Sequence, residues 1–182
     1  MIGYDIEKVL ESFEIIIDTR EKSNSKADRR YNGFGCRYTK FALEVGDYCG
    51  NAILPSGRHV IECGTKAITP ACAIERKMDI NELVGCFVGR KKEQFKNEME
   101  RAAEVECRIF LLCENASWAD IFAHRYRSKM DPEVLLANIM AYISRYNMTL
   151  IFCREEESGR LIKELLYRNL KEALQRGDFD DI

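Results

Sequence analysis

"ACAIERKMDINEL", residues 71–83, is the stretch that decides how this chain is read. Small and apolar residues run into Glu75, Arg76 and Lys77, and Met78, Ile80 and Leu83 then resume an apolar spacing that predicts a helix. If the first half is a strand, alternation sends Glu75 and Lys77 to one face and Arg76 to the other. A carboxylate and an ammonium two residues apart at a strand end form a compact unit. The carboxylate ligates a hard cation, and the lysine holds or deprotonates a neighbouring water. One carboxylate is a poor Mg²⁺ site, because the ion takes several oxygen ligands. The pattern therefore calls for a second acid.

"EVGDY" (44–48) supplies Asp47, after the alternation Phe41, Leu43, Val45 and a bend or bulge at Gly46. "IIIDTRE" (15–21) supplies a third acid. Ile15, Ile16 and Ile17 read as a strand buried on both faces, ending in Asp18, Arg20 and Glu21, with Asp18 and Arg20 on a shared face. Acid, acid, x, lysine is the pattern of metal-dependent phosphodiester cleavage, in which the ion activates water and neutralises phosphate charge. The arginine suits phosphate oxygens bidentately. A lone D…ExK recurs by chance, and a solvated strand end is its commoner meaning. Three charged strand ends converging are harder to explain that way.

Taken together, "IIIDTRE", "VGDY" and "IERK" resemble the nuclease domain of the XPF-type structure-specific endonucleases. That family's signature is G-D, a variable insert, E-R-K, three residues, then D, preceded by an I-x-D-x-R-E strand. The resemblance covers Ile15 to about Leu83 directly, and the helices and strands downstream follow the same order. It implies an α/β fold with a restriction-endonuclease-like core, a mixed central sheet flanked by helices. It also implies Mg²⁺ or Mn²⁺ dependence and cleavage of DNA at branches or flaps. Metal binding falls to Asp47 and Glu75 with Asp18 beside them, and catalysis to Lys77; Arg20, Glu21 and Arg76 support the same site. The last acid of the signature departs, since with three residues intervening after Lys77 the position is Asn81, with Asp79 before it and Glu82 after it. Members acting on branched DNA commonly add a tandem helix-hairpin-helix module. Residues 150–182 lack its hydrophobe-x-G-x-G signature, so the reading is a stand-alone nuclease domain over 1–182, of a kind suited to a bacterium or phage.

The bulk composition agrees with a folded enzyme. A chain of 182 residues, 46% apolar and 32% charged with three prolines, buries about 70% of its unfolded surface and is not disordered. No apolar run reaches membrane-span length and the acidic amphipathic start is unlike a signal peptide, which predicts a soluble cytoplasmic protein. Eight cysteines without a C-x-x-C, and two histidines, argue for reduced thiols over zinc. Net charge is −2, but the bases cluster. Arg29 and Arg30 within the basic loop, Arg90, Lys91 and Lys92, and Arg125 and Arg127 are the candidate DNA contacts.

Periodicity predicts a helix over 4–12, a polar, basic loop containing Ser23, Asn24, Ser25 and Gly33, a turn at 55–58, a strand at 59–64 and one long helix over 79–106. A strand at 108–114, with Cys107, Ile109, Leu111 and Cys113 on one face, precedes a short helix. Asp131 and Pro132 start a helix that turns Leu135, Ile139, Tyr142, Ile143 and Tyr146 inward. A strand at 148–153 leads to a leucine-rich helix from Ser158, whose surplus apolar positions suggest a homodimer interface. Two rivals remain: a relative without catalysis, serving as a DNA-binding or dimer partner, and a purely structural α/β protein. The intact acids and Lys77 favour activity over the first, and their convergence disfavours the second.

Overall fold

The computed structural model describes residues 4–61 and 67–179. Its elements in chain order are α1 (Ile6–Leu10), β1 (Glu14–Asp18), α2 (Ser25–Asn32), β2 (Arg37–Phe41), β3 (Tyr48–Asn51), β4 (Cys72–Lys77), α3 (Ile80–Gly85) and α4 (Gly89–Glu104). Then come β5 (Arg108–Glu114), α5 (Trp118–Phe122), α6 (Pro132–Arg145), β6 (Met148–Cys153) and α7 (Glu155–Arg176). The six strands form one mixed sheet in the order β2-β1-β3-β4-β5-β6. β3 runs antiparallel to β1 and β4, while β1–β2, β4–β5 and β5–β6 are parallel.

That topology sets the position of the site. The C-terminal ends of β1, β4 and β5 and the N-terminal end of β3 lie along one sheet edge, the usual place for ligands in open α/β sheets. Alternation along β5 divides the core. Ile109, Leu111 and Cys113 face a cluster with Leu83, Phe95, Met99, Leu135 and Ile139, whereas Phe110 and Leu112 face Ile15, Ile17, Ile162 and Leu166. Helices α3, α4 and α6 cover the first face, and α1, α2 and α7 the second. Ile15, Ile16 and Ile17 are buried on both faces, as their apolar run predicts.

Four expectations change. The helix over 79–106 is two helices, because beyond Gly85 the backbone leaves the helical region, extended at Val88 (φ −130°, ψ 148°) and left-handed at Gly89 (φ +58°), where α4 starts. The basic loop contains α2, whose N-cap Asn24 accepts from Lys26 N–H and Ala27 N–H at 3.0 and 2.9 Å. The strand placed at 59–64 is reduced to a bridge between Ile53 and His59, and residues 62–66 lie outside the described part. The last helix begins three residues early, at Glu155, with Glu157 accepting from Arg154 N–H at 3.2 Å. The Asp131 and Pro132 start of α6 stands as predicted. The described cysteines are reduced thiols. No helix among the described residues is long and apolar enough to cross a membrane.

Candidate active site

Gly46 sets the site's geometry. Its φ is +75°, and a Cβ there would stand 2.7 Å from Ala73 Cβ and 3.2 Å from Ile74 O, so the position requires glycine on two counts. The turn delivers Asp47 between two strand ends. Asp18 N–H donates to Asp47 O at 2.9 Å, Asp47 N–H donates to Ile74 O at 2.8 Å, and Arg76 N–H donates to Asp47 Oδ2 at 2.8 Å. The three charged strand ends therefore meet, through backbone bonds.

On the α4 side of β4, Lys77 Nζ donates to Glu75 Oε1 and lies 5.6 Å from the centre of the Phe95 ring. Both side chains are largely buried. Burial alone would lower the Lys77 ammonium, but Glu75 and Asp47 outweigh it and raise its pKa, so the lysine stays charged. Burial, then Glu75 and Glu21, push the Asp47 carboxyl well up, against the Arg76 N–H and Lys77. Glu98 of α4 joins the same group. Burial, followed by the nearby Glu75 carboxylate, raises the Glu98 carboxyl to about 7. Three acids around one ammonium leave the cluster short of positive charge.

On the opposite side of β4, Arg76 reaches Glu114 at 3.2 Å and Glu21 at 3.5 Å. Arg30 of α2 donates to both oxygens of Glu114, at 2.9 and 3.3 Å, and to Tyr48 Oη at 3.4 Å. Arg76 Nε is buried without a hydrogen-bond partner. A cleft of about 350 Å³ opens here, its charged lining made of Arg20, Lys22, Lys26, Arg30 and Arg76 together with Glu21, Asp47, Glu82 and Glu114. Asp47 lines it; Glu75 and Lys77 do not.

Alternation thus separates Glu75 and Lys77 from Arg76 as predicted, and Asp18 pairs with Arg20. The Arg20 Nε–H donates to Asp18 Oδ2 at 2.6 Å, its backbone N–H to Oδ1 at 3.0 Å, and its guanidinium also reaches Leu43 O at 2.8 Å. Asp18 is 1% exposed and paired with that arginine. The basic candidates divide. Arg90, Lys91 and Lys92 are exposed on the first turn of α4, and Arg125 and Arg127 on the loop after α5. Arg29 is exposed but paired with Glu155 at 2.9 Å, and Arg125 with Asp120 at 2.8 Å. Arg30 is corrected outright: at 4% exposure it belongs to the interior network, because α2 turns Ala27, Arg30 and Tyr31 inward.

The residues after Lys77 also acquire places. Asp79 Oδ1 accepts from Glu82 N–H at 2.9 Å and Glu82 Oε2 from Met78 N–H at 2.7 Å, a reciprocal cap on α3. Asn81 Oδ1 accepts from Arg127 N–H at 2.9 Å and anchors the basic loop beside the site. Glu98 and Glu114 were missed from sequence. Glu114 carried a signal, a charged end on a third apolar strand; Glu98 sits within the inward stripe of Phe95, Met99 and Ala102.

No three His, Cys, Asp or Glu side chains among the described residues are gathered as a ready metal cage. The donor chemistry nonetheless fits a hard divalent cation, which binds through one or two carboxylates plus substrate phosphates. Asp47 and Glu75 are the two carboxylates that could serve so, the first fixed by Arg76 N–H and the second by Lys77 Nζ.

The ERCC4 domain family model matches residues 17–165. No curated protein sequence matches the chain significantly. Among solved structures it is similar to XPF from Aeropyrum pernix, with 17% identity and a TM-score of 0.57 over 86% of this chain and 61% of that one. A structure of XPF from Aeropyrum pernix in complex with DNA gives 18% identity and a TM-score of 0.57 over 87% of this chain and 65% of that one. The likeness establishes the restriction-endonuclease-like fold, and this chain spans less than two thirds of either structure.

Proposed function

The chain belongs to the ERCC4 domain family, and on that premise we propose that it is a divalent-metal-dependent DNA endonuclease acting at branched or flap structures. The observation that supports this most is the joining of Asp47 Oδ2 to Arg76 N–H at 2.8 Å, which sets one carboxylate between the Glu75–Lys77 pair and the basic cleft. Mg²⁺ or Mn²⁺, held by Asp47 and Glu75, supplies Lewis-acid neutralisation of phosphate charge when bound. Lys77, which donates to Glu75 Oε1, orients water or stabilises developing negative charge. Arg76, Arg20, Lys22 and Lys26 line the cleft and receive phosphate oxygens. Lys91, Lys92 and Arg127 extend the basic surface toward flanking duplex. Homodimerisation belongs to the same reading; half-buried Leu161 and Leu165, beside Phe110 in a shallow groove, support it.

The test is cleavage of flap, fork, junction and linear DNA with Mg²⁺, with Mn²⁺ or with chelator. Cutting of a branched substrate should require the metal and vanish in Asp47→Asn and Lys77→Ala. Wild-type protein that binds such DNA but leaves it intact under every condition overturns the enzymatic reading in favour of a non-catalytic partner.

A further inference from the structure

On the α2 side of the sheet, Arg76 pairs with Leu112 across the parallel β4–β5 ladder, and alternation brings Glu114, two residues on, to the same face. There Glu114 accepts three hydrogen bonds, from Arg30 Nε at 2.9 Å, Arg30 Nη2 at 3.3 Å and Arg76 Nη1 at 3.2 Å. The Arg30 and Glu114 side chains are 3% and 2% exposed. Arg30 is itself fixed, because α2 lies so close to α7 that a Cβ on Gly159 would collide with Arg30 O, and its Nη1 reaches Tyr48 Oη at 3.4 Å. A buried ion pair is a poor source of stability, since desolvating both charges offsets their attraction. What this one supplies is a rigid carboxylate at the wall of the cleft, next to the Arg76 guanidinium.

We propose that Glu114 is a positioning residue for phosphate recognition: it holds the Arg76 guanidinium in one orientation at the cleft, and Arg30 holds Glu114. The inference rests on the reading of Arg76 as a phosphate contact of the proposed nuclease. Arg76 is then fixed at both ends, its backbone N–H on Asp47 Oδ2 at 2.8 Å and its Nη1 on Glu114. Each terminal nitrogen of an arginine carries two hydrogens, so the bonds to Glu114 and Glu21 leave one on each for phosphate oxygens. The charge of Glu114 and its positioning role act in opposite directions on DNA. A carboxylate beside a phosphate repels it, so removing the charge alone would tighten binding. Releasing a preorganised guanidinium weakens binding instead.

Fluorescence anisotropy of a dye-labelled flap DNA in chelator, titrated at several salt concentrations, tests this without reference to cleavage. Arg76→Ala should bind roughly 10-fold more weakly than wild type, with a salt slope lower by about 1. Glu114→Gln and Glu114→Asp should each bind roughly 3- to 10-fold more weakly, and on an Arg76→Ala background the same changes should weaken binding no further. Gln removes the charge and Asp draws it back by one methylene; thermal melts identify either variant if it fails to fold, and the other then carries the test. A folded Glu114 variant that binds as tightly as wild type, or more tightly, overturns the positioning role. Equal losses on the two backgrounds also overturn it, since Glu114 would then act independently of Arg76. Arg76→Ala separates the two levels. If it weakens binding while the Glu114 variants do not, Arg76 stands as a phosphate contact and the role of Glu114 falls; if it binds as wild type, or wild type does not bind the flap, the premise itself falls.

Discussion

The Asp47 carboxylate accepts the backbone N–H of Arg76 at 2.8 Å, across the antiparallel junction of β3 and β4. A side chain suited to holding a cation is therefore also the acceptor for a part-buried amide. Asn keeps an acceptor and removes a charge that burial and Glu75 make unfavourable. In metal-free protein at pH 7, Asp47→Asn should melt at the same temperature as wild type or higher, while metal-dependent activity is lost. Asp47→Ala leaves the amide unpaired and should be less stable than the Asn variant by about 1–3 kcal/mol. Paired thermal and urea unfolding curves check the order.

Arg30 is braced by Glu114 and Tyr48 rather than turned to solvent. Removing one partner of a buried pair leaves an ill-compensated charge, although Arg76 still reaches Glu114. Arg30→Ala should lose about 3 kcal/mol in urea unfolding. Arg127→Ala, at an exposed position, should change stability by less than about 0.5 kcal/mol and weaken DNA binding in a salt-dependent way.

Gly46 and Gly89 both adopt positive φ, but only Gly46 has neighbours where a Cβ would go. Gly89→Ala should cost about 1–2 kcal/mol, from the left-handed backbone alone. Gly46→Ala adds a clash with Ala73 and Ile74 O, worth about 1–3 kcal/mol more, and should displace Asp47. Chemical denaturation of the two variants side by side measures the difference.

Glu155 receives Lys26 Nζ at 2.8 Å and an Arg29 Nη at 2.9 Å, and these hydrogen bonds hold its carboxyl down at about 2. A carboxyl lowered in the folded state stabilises above its ordinary value of 4.5, and the contribution fades as pH falls toward about 2. Glu155→Gln should therefore lower Tm at pH 7, by a margin that shrinks below pH 4.5 and disappears near pH 2. Salt should shrink it as well, because both bases are exposed.

Strand ends were legible in the sequence because their signal is local. An isoleucine run followed by Asp18, and an apolar run followed by Glu75 and Lys77, state both the burial and the edge. What escaped depends on three-dimensional neighbours. Arg30 looks like surface beside Arg29, and its inward aim shows only once Ala27 and Tyr31 are seen to share a helical face with it. Glu98 is one acid among several on α4, and nothing in the spacing tells that the Gly89 break brings it over Glu75 rather than into water. Asn81 looked like a defect in a signature, while its side chain holds the Arg127 loop.

The six paired positions of β4 and β5, from Cys72↔Arg108 to Lys77↔Cys113, have a consequence beyond holding the sheet together. Glu75 and Arg76 are consecutive, so a slip of one residue would exchange their faces. The acidic compartment under α4 would receive a guanidinium, and the basic cleft beside α2 a carboxylate, with every covalent bond unchanged. The register of this ladder thus sets the polarity of the molecule: it determines which side of the sheet carries the Glu75–Lys77 pair and which carries Arg76.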